Sequence, residues 1–286
     1  MERTIIINET QSNMLQVSLG EQKIDHNIIR AYAFDWDDNI MSMPTTIKML
    51  QNVDGEWTSV EVPTDKFAHV RNDENYKLDD DAFVNFRDDE SFLTDLKVAI
   101  ENESFAPSFD KFKESLLYAN PISIITARGH TPQALRNGMN YVVANTFTEN
   151  EIMLMLDNII ERYPETSGKI PTEVLDFYLD SHEYHPVSSE EFAERFGTEY
   201  GSALNPEENK KIAFRDYVNR VLLSTHKMVD GGYAGMSIGF SDDDLGNVEA
   251  MESFIEEELR YEFPEVTFII YDTSDGDNKK IVIKKA

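Results

Sequence analysis

The first feature of this 286-residue chain is an absence, because it contains no cysteine. Disulfide bonds, thiolate nucleophiles and zinc sites with sulfur ligands are therefore excluded. Long apolar runs are also missing, since no stretch approaches the roughly 20 apolar residues of a transmembrane helix. The opening residues, MERTIIINETQSN, lack the basic and apolar segments of a signal peptide. Together these absences predict a soluble, cytoplasmic protein with no membrane partner.

Basic side chains are the second scarcity. The chain has 26 Lys and Arg residues against 54 Asp and Glu residues, and its formal net charge is −28. Nucleic-acid binding depends on Lys and Arg side chains that neutralise phosphates, so general binding to DNA or RNA is disfavoured. An acidic surface instead attracts divalent cations and basic partners. Solubility is the simpler explanation of the charge.

Hydrophobic residues, in contrast, are plentiful and patterned. They make up 41% of the chain, and short β-branched runs alternate with stretches of helical spacing. This alternation predicts an α/β fold with a doubly wound, mostly parallel sheet and helices on both faces. The predicted strands are 30–35, 121–128, 174–181, 236–244 and 266–274, with a possible edge strand in KKIVIKK.

The polarity of the chain also predicts its organisation. Residues 1–29 contain two short β-like runs and are interpreted as an N-terminal β-hairpin. Residues 30–286 are interpreted as the core. The more polar segment 41–110 interrupts that core and is interpreted as a small cap or lid. Both 1–29 and 41–110 are candidate docking sites for a protein partner.

Acidic residues follow two of the predicted strands. Asp35 and Asp37 follow one strand in AYAFDWDDNI, and Asp242 and Asp243 follow another in SIGFSDDD. In a parallel sheet, ligands bind beyond the carboxyl ends of the strands. Two acidic clusters at one edge would form an oxygen-rich pocket of the kind that Mg²⁺ prefers. The simpler alternative is a solvated turn in the first case and helix capping in the second.

Other side chains in similar positions could complete a reaction site. A metal would make Asp35 a usable nucleophile toward a phosphoryl group, and Asp37 could transfer a proton. Thr126 follows a predicted strand and offers a hydroxyl group. Lys210 and Lys211 lie in the first turns of a predicted helix, and either could supply positive charge to a transferring phosphoryl group.

These motifs resemble those of the haloacid dehalogenase (HAD) superfamily. FDWDDNI, IITARG, a helical lysine and GFSDDDLGNV occur in the order of that superfamily's motifs. The resemblance implies a HAD-like core and Mg²⁺-dependent phosphoryl transfer through an aspartyl-phosphate. A phosphorylated small molecule would be the substrate.

The resemblance also implies residue roles. It assigns Asp35 as nucleophile, Asp37 as general acid and base, Thr126 as phosphate binder, and Asp35, Asp242 and Asp243 as Mg²⁺ ligands. Lys211 is the preferred family lysine because it leads into IAFRDYV, with Lys210 as the alternative. Arg128 and Asn39 are candidate substrate contacts. Asn39 departs from the family, which usually has Thr or Val there.

Three alternatives differ from this hypothesis in protein class. Response-regulator receivers are disfavoured because a second acidic cluster follows the lysine. P-loop kinases are excluded because no Gly-rich loop ends in Gly-Lys-Ser or Gly-Lys-Thr. The alternative that stays open is a catalytically weak or inactive HAD fold with a structural or partner-binding role, for example in a phage assembly.

Overall fold

The computed structural model describes residues 28–198, 206–228, 235–283 and 285. Apart from Ile28 and Ile29, which belong to the first strand, the predicted N-terminal hairpin lies outside these residues. The described part is an α/β fold with a six-stranded, mostly parallel sheet, which confirms the predicted class at that level. Within these ranges, none of the helices is long and apolar enough to cross a lipid bilayer.

Two sheets account for the strands of the described part. The strands are β1 (Ile28–Phe34), β2 (Thr46–Val53), β3 (Glu56–Pro63), β4 (Tyr76–Leu78), β5 (Ile122–Thr126), β6 (Glu183–Pro186), β7 (Gly235–Asp242), β8 (Val266–Asp272) and β9 (Lys279–Val282). The main sheet has the order β6-β5-β1-β7-β8-β9 and is parallel except for β9. The carboxyl ends of β5, β1 and β7 therefore lie side by side, and KKIVIKK contains the predicted edge strand.

Helices occupy the segments between the strands of both sheets. They are α1 (Thr64–Val70), α2 (Asp89–Glu101), α3 (Phe109–Leu117), α4 (Pro132–Thr146), α5 (Glu149–Arg162), α6 (Pro171–Asp180), α7 (Glu190–Phe196), α8 (Pro206–Met228), α9 (Leu245–Phe254) and α10 (Arg260–Glu262). A π-helical segment, Ile255–Leu259, joins α9 to α10. Helix α4 begins as its sequence predicts, because Thr131 caps its first turn and Pro132 follows at the first helical position.

The central strand β1 is buried on both faces. Tyr32 and Phe34 point into an apolar cluster with side chains of α2 to α6. Ala31 and Ala33 point into a second cluster with side chains of α7, α8 and α9. Helices therefore cover both faces of the sheet, which explains why its strands are continuous apolar runs in the sequence.

The prediction of a strand at 174–181 is wrong. These residues lie almost entirely in α6, and the third strand of the main sheet along the chain is instead the short β6 that follows. The buried side chains of α6 are Val174, Tyr178 and Leu179. Val174 and Tyr178 are four residues apart, which places them on one face of a helix, and Pro171 stands in its first turn. The apolar run VLDFYL conceals that period.

The segment 41–110 has two structurally different parts. Strands β2, β3 and β4 form a separate antiparallel sheet, here called the insertion sheet, with an apolar cluster of its own. Helix α2 follows it, and Phe92, Leu96 and Ala99 of that helix pack into the main core. The insertion is thus joined to the core through α2.

His182 makes the stability of the fold depend on pH. Neither ring nitrogen of this buried side chain has a hydrogen-bond partner, and burial lowers its pKa from 6.5 to about 3. Between these two values the unfolded chain binds a proton that the folded protein excludes. The contribution of the neutral His182 to the unfolding free energy is therefore fully present above pH 6.5. It is lost as the pH falls toward 3, and the loss is about 2 kcal/mol at pH 5.

We expect His182→Phe to remove this contribution while keeping the ring against Tyr178. Urea denaturation at pH 8 and pH 5 should show a difference in unfolding free energy between the two pH values that is smaller by about 2 kcal/mol in the variant. An unchanged difference would contradict the assignment.

Candidate active site

Three carboxylates meet at the carboxyl ends of β1 and β7. Asp35 directly follows β1 and Asp242 ends β7, and the Asp35 N–H donates to the Ser241 carbonyl at 2.9 Å. Asp243 is the next residue. One carboxylate oxygen from each of the three aspartates lies within 4.8 Å of the other two. The structure thus brings together the two acidic clusters, which are separated by about two hundred residues of sequence.

A buried lysine joins this carboxylate cluster. Lys210 Nζ lies 2.7 Å from Asp242 Oδ2 and 3.1 Å from Asp35 Oδ1, and the side chain is 2% exposed. Burial by itself lowers the pKa of Lys210, but attraction to Asp242 and then to Asp35 outweighs burial and raises it. Lys210 is therefore a permanent cation held between two strand ends.

Lys211, the preferred lysine of the sequence analysis, does not lie in this cluster. Its Nζ pairs with Glu208 at 2.6 Å, one turn earlier on the same helix. Lys210 precedes Ala213 and Phe214 by three and four residues, and both are buried against the sheet. This spacing places Lys210 on the inner face of α8 and turns Lys211 away. The same spacing was visible in the sequence.

The cluster carries more negative charge than Lys210 balances. The pKa of Asp35 is raised by burial, lowered by Lys210 and raised again by Asp242. Burial, followed by repulsion from Asp242 and Asp35, also raises the pKa of Asp243. Asp35 Oδ1 is buried and lies 3.1 Å from Lys210 Nζ. These oxygens could hold a metal ion, and they suit a hard divalent cation.

The three consecutive aspartates at the end of β7 have different contacts. Asp242 Oδ1 accepts hydrogen bonds from Asn247 Nδ2 at 2.9 Å and from the Asp244 N–H at 3.0 Å, which fixes its carboxylate. Asp244 caps α9 by accepting from the Gly246 N–H. The capping explanation therefore holds for Asp244, while Asp242 and Asp243 belong to the cluster.

Arg128 points into the protein and binds Asp37. Its Nε and Nη2 donate to the two Asp37 oxygens at 2.7 and 2.6 Å, and the arginine side chain has no exposed surface. Arg128 is thus engaged within the protein, which differs from the predicted substrate contact. Thr126 is also buried, and its hydroxyl accepts the Arg128 N–H at 3.4 Å.

Asn39 likewise serves the protein interior. Its Nδ2 donates to the Asp35 and Ser241 carbonyls, and its Oδ1 accepts from the hydroxyls of Ser241 and Thr273. The side chain is fully buried, and these four partners all belong to the protein. An amide offers two N–H donors and an acceptor oxygen, whereas a Thr hydroxyl offers a single donor and a Val side chain offers none. Asn39 therefore ties the loop after β1 to β7 and to the end of β8.

Trp36 is a site residue that the sequence analysis missed. It stands between Asp35 and Asp37, is fully buried, and its ring lies 5.3 Å from that of Phe92. The Trp36 side chain anchors the loop in the apolar core, while Asp35 joins the carboxylate cluster and Asp37 binds Arg128. Its position between two aspartates was the only sequence signal for this role.

A second group of possible metal ligands lies at the edge strand β6. Glu183, His185 and Asp216 approach one another, but Arg195 and Arg220 already pair with both carboxylates. Two cations thus balance two anions there. The strand-end cluster differs because three carboxylates share one lysine.

Comparisons of the chain with protein-family models, curated proteins and solved structures find no match. The chemistry of the site therefore rests on its own side chains.

The two neighbouring lysines provide a matched pair of variants. Lys210→Met would leave Asp35 and Asp242 buried and repelling each other, so we expect a loss of about 3–5 kcal/mol in unfolding free energy. Lys211→Met removes only a surface pair and should change it by less than about 0.5 kcal/mol. Urea denaturation at pH 7.5 measures both. Equal effects would show that Lys210 does not hold the strand ends together.

Proposed function

We propose that the protein is a Mg²⁺-dependent phosphohydrolase or phosphotransferase that acts on a small phosphoester through an aspartyl-phosphate. The observation that carries this proposal is the state of Asp35. It is a buried carboxylate whose Oδ1 lies 3.1 Å from Lys210 Nζ, and it shares one edge of the sheet with two further carboxylates. Such an oxygen suits a nucleophile that a cation must assist.

The proposed reaction has two steps at Asp35. A carboxylate oxygen of Asp35 forms a bond to phosphorus while the bond from phosphorus to the leaving oxygen breaks, and the leaving oxygen takes a proton from water. Water, or an acceptor hydroxyl group, then takes the phosphoryl group from the aspartate. Lys210 supplies fixed positive charge where negative charge develops. Thr126, at the end of the neighbouring strand β5, is the proposed hydroxyl donor to a phosphoryl oxygen.

Asp35, Asp242 and Asp243 are the proposed Mg²⁺ ligands. When bound, the ion would screen the repulsion between an anionic nucleophile and an anionic phosphoester. Asn247 Nδ2 donates a hydrogen bond to Asp242 Oδ1 at 2.9 Å. A contact of this kind, outside the ligand set itself, orients a metal ligand. The excess of negative charge around Asp35 supports this assignment.

The proposal extends to a HAD-like, doubly wound core with the insertion sheet as its cap. Two features support it. The proposed nucleophile, hydroxyl, lysine and acidic pair follow one another along the chain and belong to neighbouring strand ends or the adjacent helix. Arg71, at the end of α1 in the insertion, pairs with Asp244 at 3.1 Å, so the insertion contacts the acidic loop of the site. A cap in that position would select the substrate.

One observation favours the second candidate, a structural or partner-binding role with weak or no catalysis. Both oxygens of Asp37 accept hydrogen bonds from buried Arg128, so the residue expected to transfer a proton is already occupied. In that case the insertion would serve a protein partner. Metal-dependent turnover distinguishes the two candidates.

The experiment is hydrolysis of p-nitrophenyl phosphate by the wild-type chain with Mg²⁺ and with EDTA, alongside Asp35→Asn. We expect turnover that requires Mg²⁺ and falls at least about 10³-fold in Asp35→Asn. Asp110→Asn, an exposed aspartate on α3, is the matched control and should retain full activity.

Turnover that survives in Asp35→Asn, or in EDTA, would contradict an aspartyl nucleophile assisted by a metal. A folded wild-type chain that hydrolyses neither aryl nor alkyl phosphomonoesters in Mg²⁺ would favour the structural role.

A further inference from the structure

We infer that Asp37 is a positioning residue that, together with Arg128, fastens the loop of Asp35 to the insertion, and that it does not transfer a proton. The catalytic part of this inference rests on the proposed function. The structural part does not, because it concerns contacts that exist whether or not the protein is an enzyme.

The contact between the two side chains is bidentate. Arg128 Nε donates to Asp37 Oδ2 at 2.7 Å, and Nη2 donates to Oδ1 at 2.6 Å. Paired, charge-assisted hydrogen bonds of this kind are among the strongest polar contacts in proteins. They fix the orientation of the guanidinium group and of the carboxylate group relative to each other. Neither Asp37 oxygen is left without a donor.

The rest of the Arg128 side chain is enclosed. The guanidinium carbon lies 4.8 Å from the ring centre of Phe86 and 5.3 Å from that of Phe92. Nη2 also donates to Thr45 Oγ1 at 3.0 Å, and Nη1 lies 3.1 Å from His130 Nε2. The two rings and the two polar contacts leave the guanidinium no exposed surface.

Asp37 is the only carboxylate that forms an ion pair with Arg128 among the described residues. If Asp37 turned toward a substrate, a fully buried guanidinium would lose its counter-ion. Separating a buried ion pair in this way is strongly unfavourable. The geometry therefore keeps Asp37 on Arg128, in contrast to a group that must reach a leaving oxygen.

The same arginine contacts the insertion at two points. Thr45 directly precedes β2, and its hydroxyl donates to Asp95 of α2 at 2.6 Å while it accepts from Arg128. Phe86 belongs to the apolar cluster of the insertion sheet, and its carbonyl accepts the Gly129 N–H at 2.9 Å. Arg128 thus joins the end of β5, the loop after β1 and the insertion.

Leaving-group dependence separates a positioning residue from a proton donor. The experiment compares kcat/KM of wild type and Asp37→Asn on 2,4-dinitrophenyl phosphate, whose leaving group needs no proton, and on phenyl phosphate, whose leaving group does. We expect Asp37→Asn to lower both by the same factor, within about threefold. Loss of a general acid would instead reduce phenyl phosphate hydrolysis by a further 10²–10⁴-fold or so, and that result would overturn the inference.

Arg128 variants test positioning against a general loss of structure. Arg128→Met should lower kcat with little change in KM. Arg128→Lys keeps the positive charge but cannot form the bidentate contact, and it should recover part of the loss in kcat. Asp176→Asn, which breaks the exposed pair with Arg136, is the matched control and should leave both constants unchanged. No recovery in Arg128→Lys, or an equal loss in the control, would overturn the positioning role.

The structural part is tested separately from activity. Urea midpoints are measured for wild type, Asp37→Asn, Arg128→Met and the double variant. We expect the double variant to lose less stability than the sum of the two single losses, because the second change removes a group that the first left unpaired. Additive losses would overturn the pairing. Coupled losses in a chain without phosphatase activity would keep the pair and refute only the proposed function.

Discussion

The ammonium group of Lys210 is the contact on which the site depends. It bridges Asp35 and Asp242 at the ends of two adjacent parallel strands, where water is largely excluded. Without a cation there, two buried carboxylates would repel each other at short range. Its position follows from the apolar face of α8, which packs against the sheet and carries Lys210 inward. The chemistry of the site is thus a consequence of helix packing.

Two further tethers hold the loop after β1 in place. Asn39 ties it to β7 through the Asp35 and Ser241 carbonyls, and Arg128 ties it to β5 and the insertion through Asp37. Trp36 anchors it in the apolar core. A loop held on three sides keeps the Asp35 carboxylate in one orientation. This arrangement accounts for Asp35, Asp37 and Asn39 in so short a segment.

Much of this architecture could be predicted from local sequence patterns. Apolar runs predicted β1, β5, β7 and β8, and acidic residues at their ends predicted the cluster, because parallel strands share one edge. Helix α6 was predicted as a strand because Leu175 and Phe177, which are only partly buried, are also apolar. The apolar residues of this helix therefore form a nearly continuous run in the sequence. Lys210, and not the preferred Lys211, lies at the cluster, because Ala213 and Phe214 follow Lys210 by three and four residues on the buried face of α8.

The contacts that local patterns could not predict join distant parts of the chain. Asn39 meets Ser241 across 202 residues, and Arg128 meets Asp37 across 91. A single sequence contains no signal for such pairs, since each partner is an ordinary polar residue in its own segment. Whether these side chains face a substrate or the protein is decided by tertiary packing alone.

A cation site at the strand ends is tested most directly by its effect on stability. A ligand that binds only the folded protein raises the melting temperature by mass action. Thermal unfolding should be followed with increasing Mg²⁺ at constant ionic strength, for wild type and for the double variant Asp35→Asn, Asp243→Asn. The predicted result is a concentration-dependent rise in wild type that the double variant lacks. No rise in wild type, or the same rise in both proteins, would contradict a Mg²⁺ site built from these carboxylates.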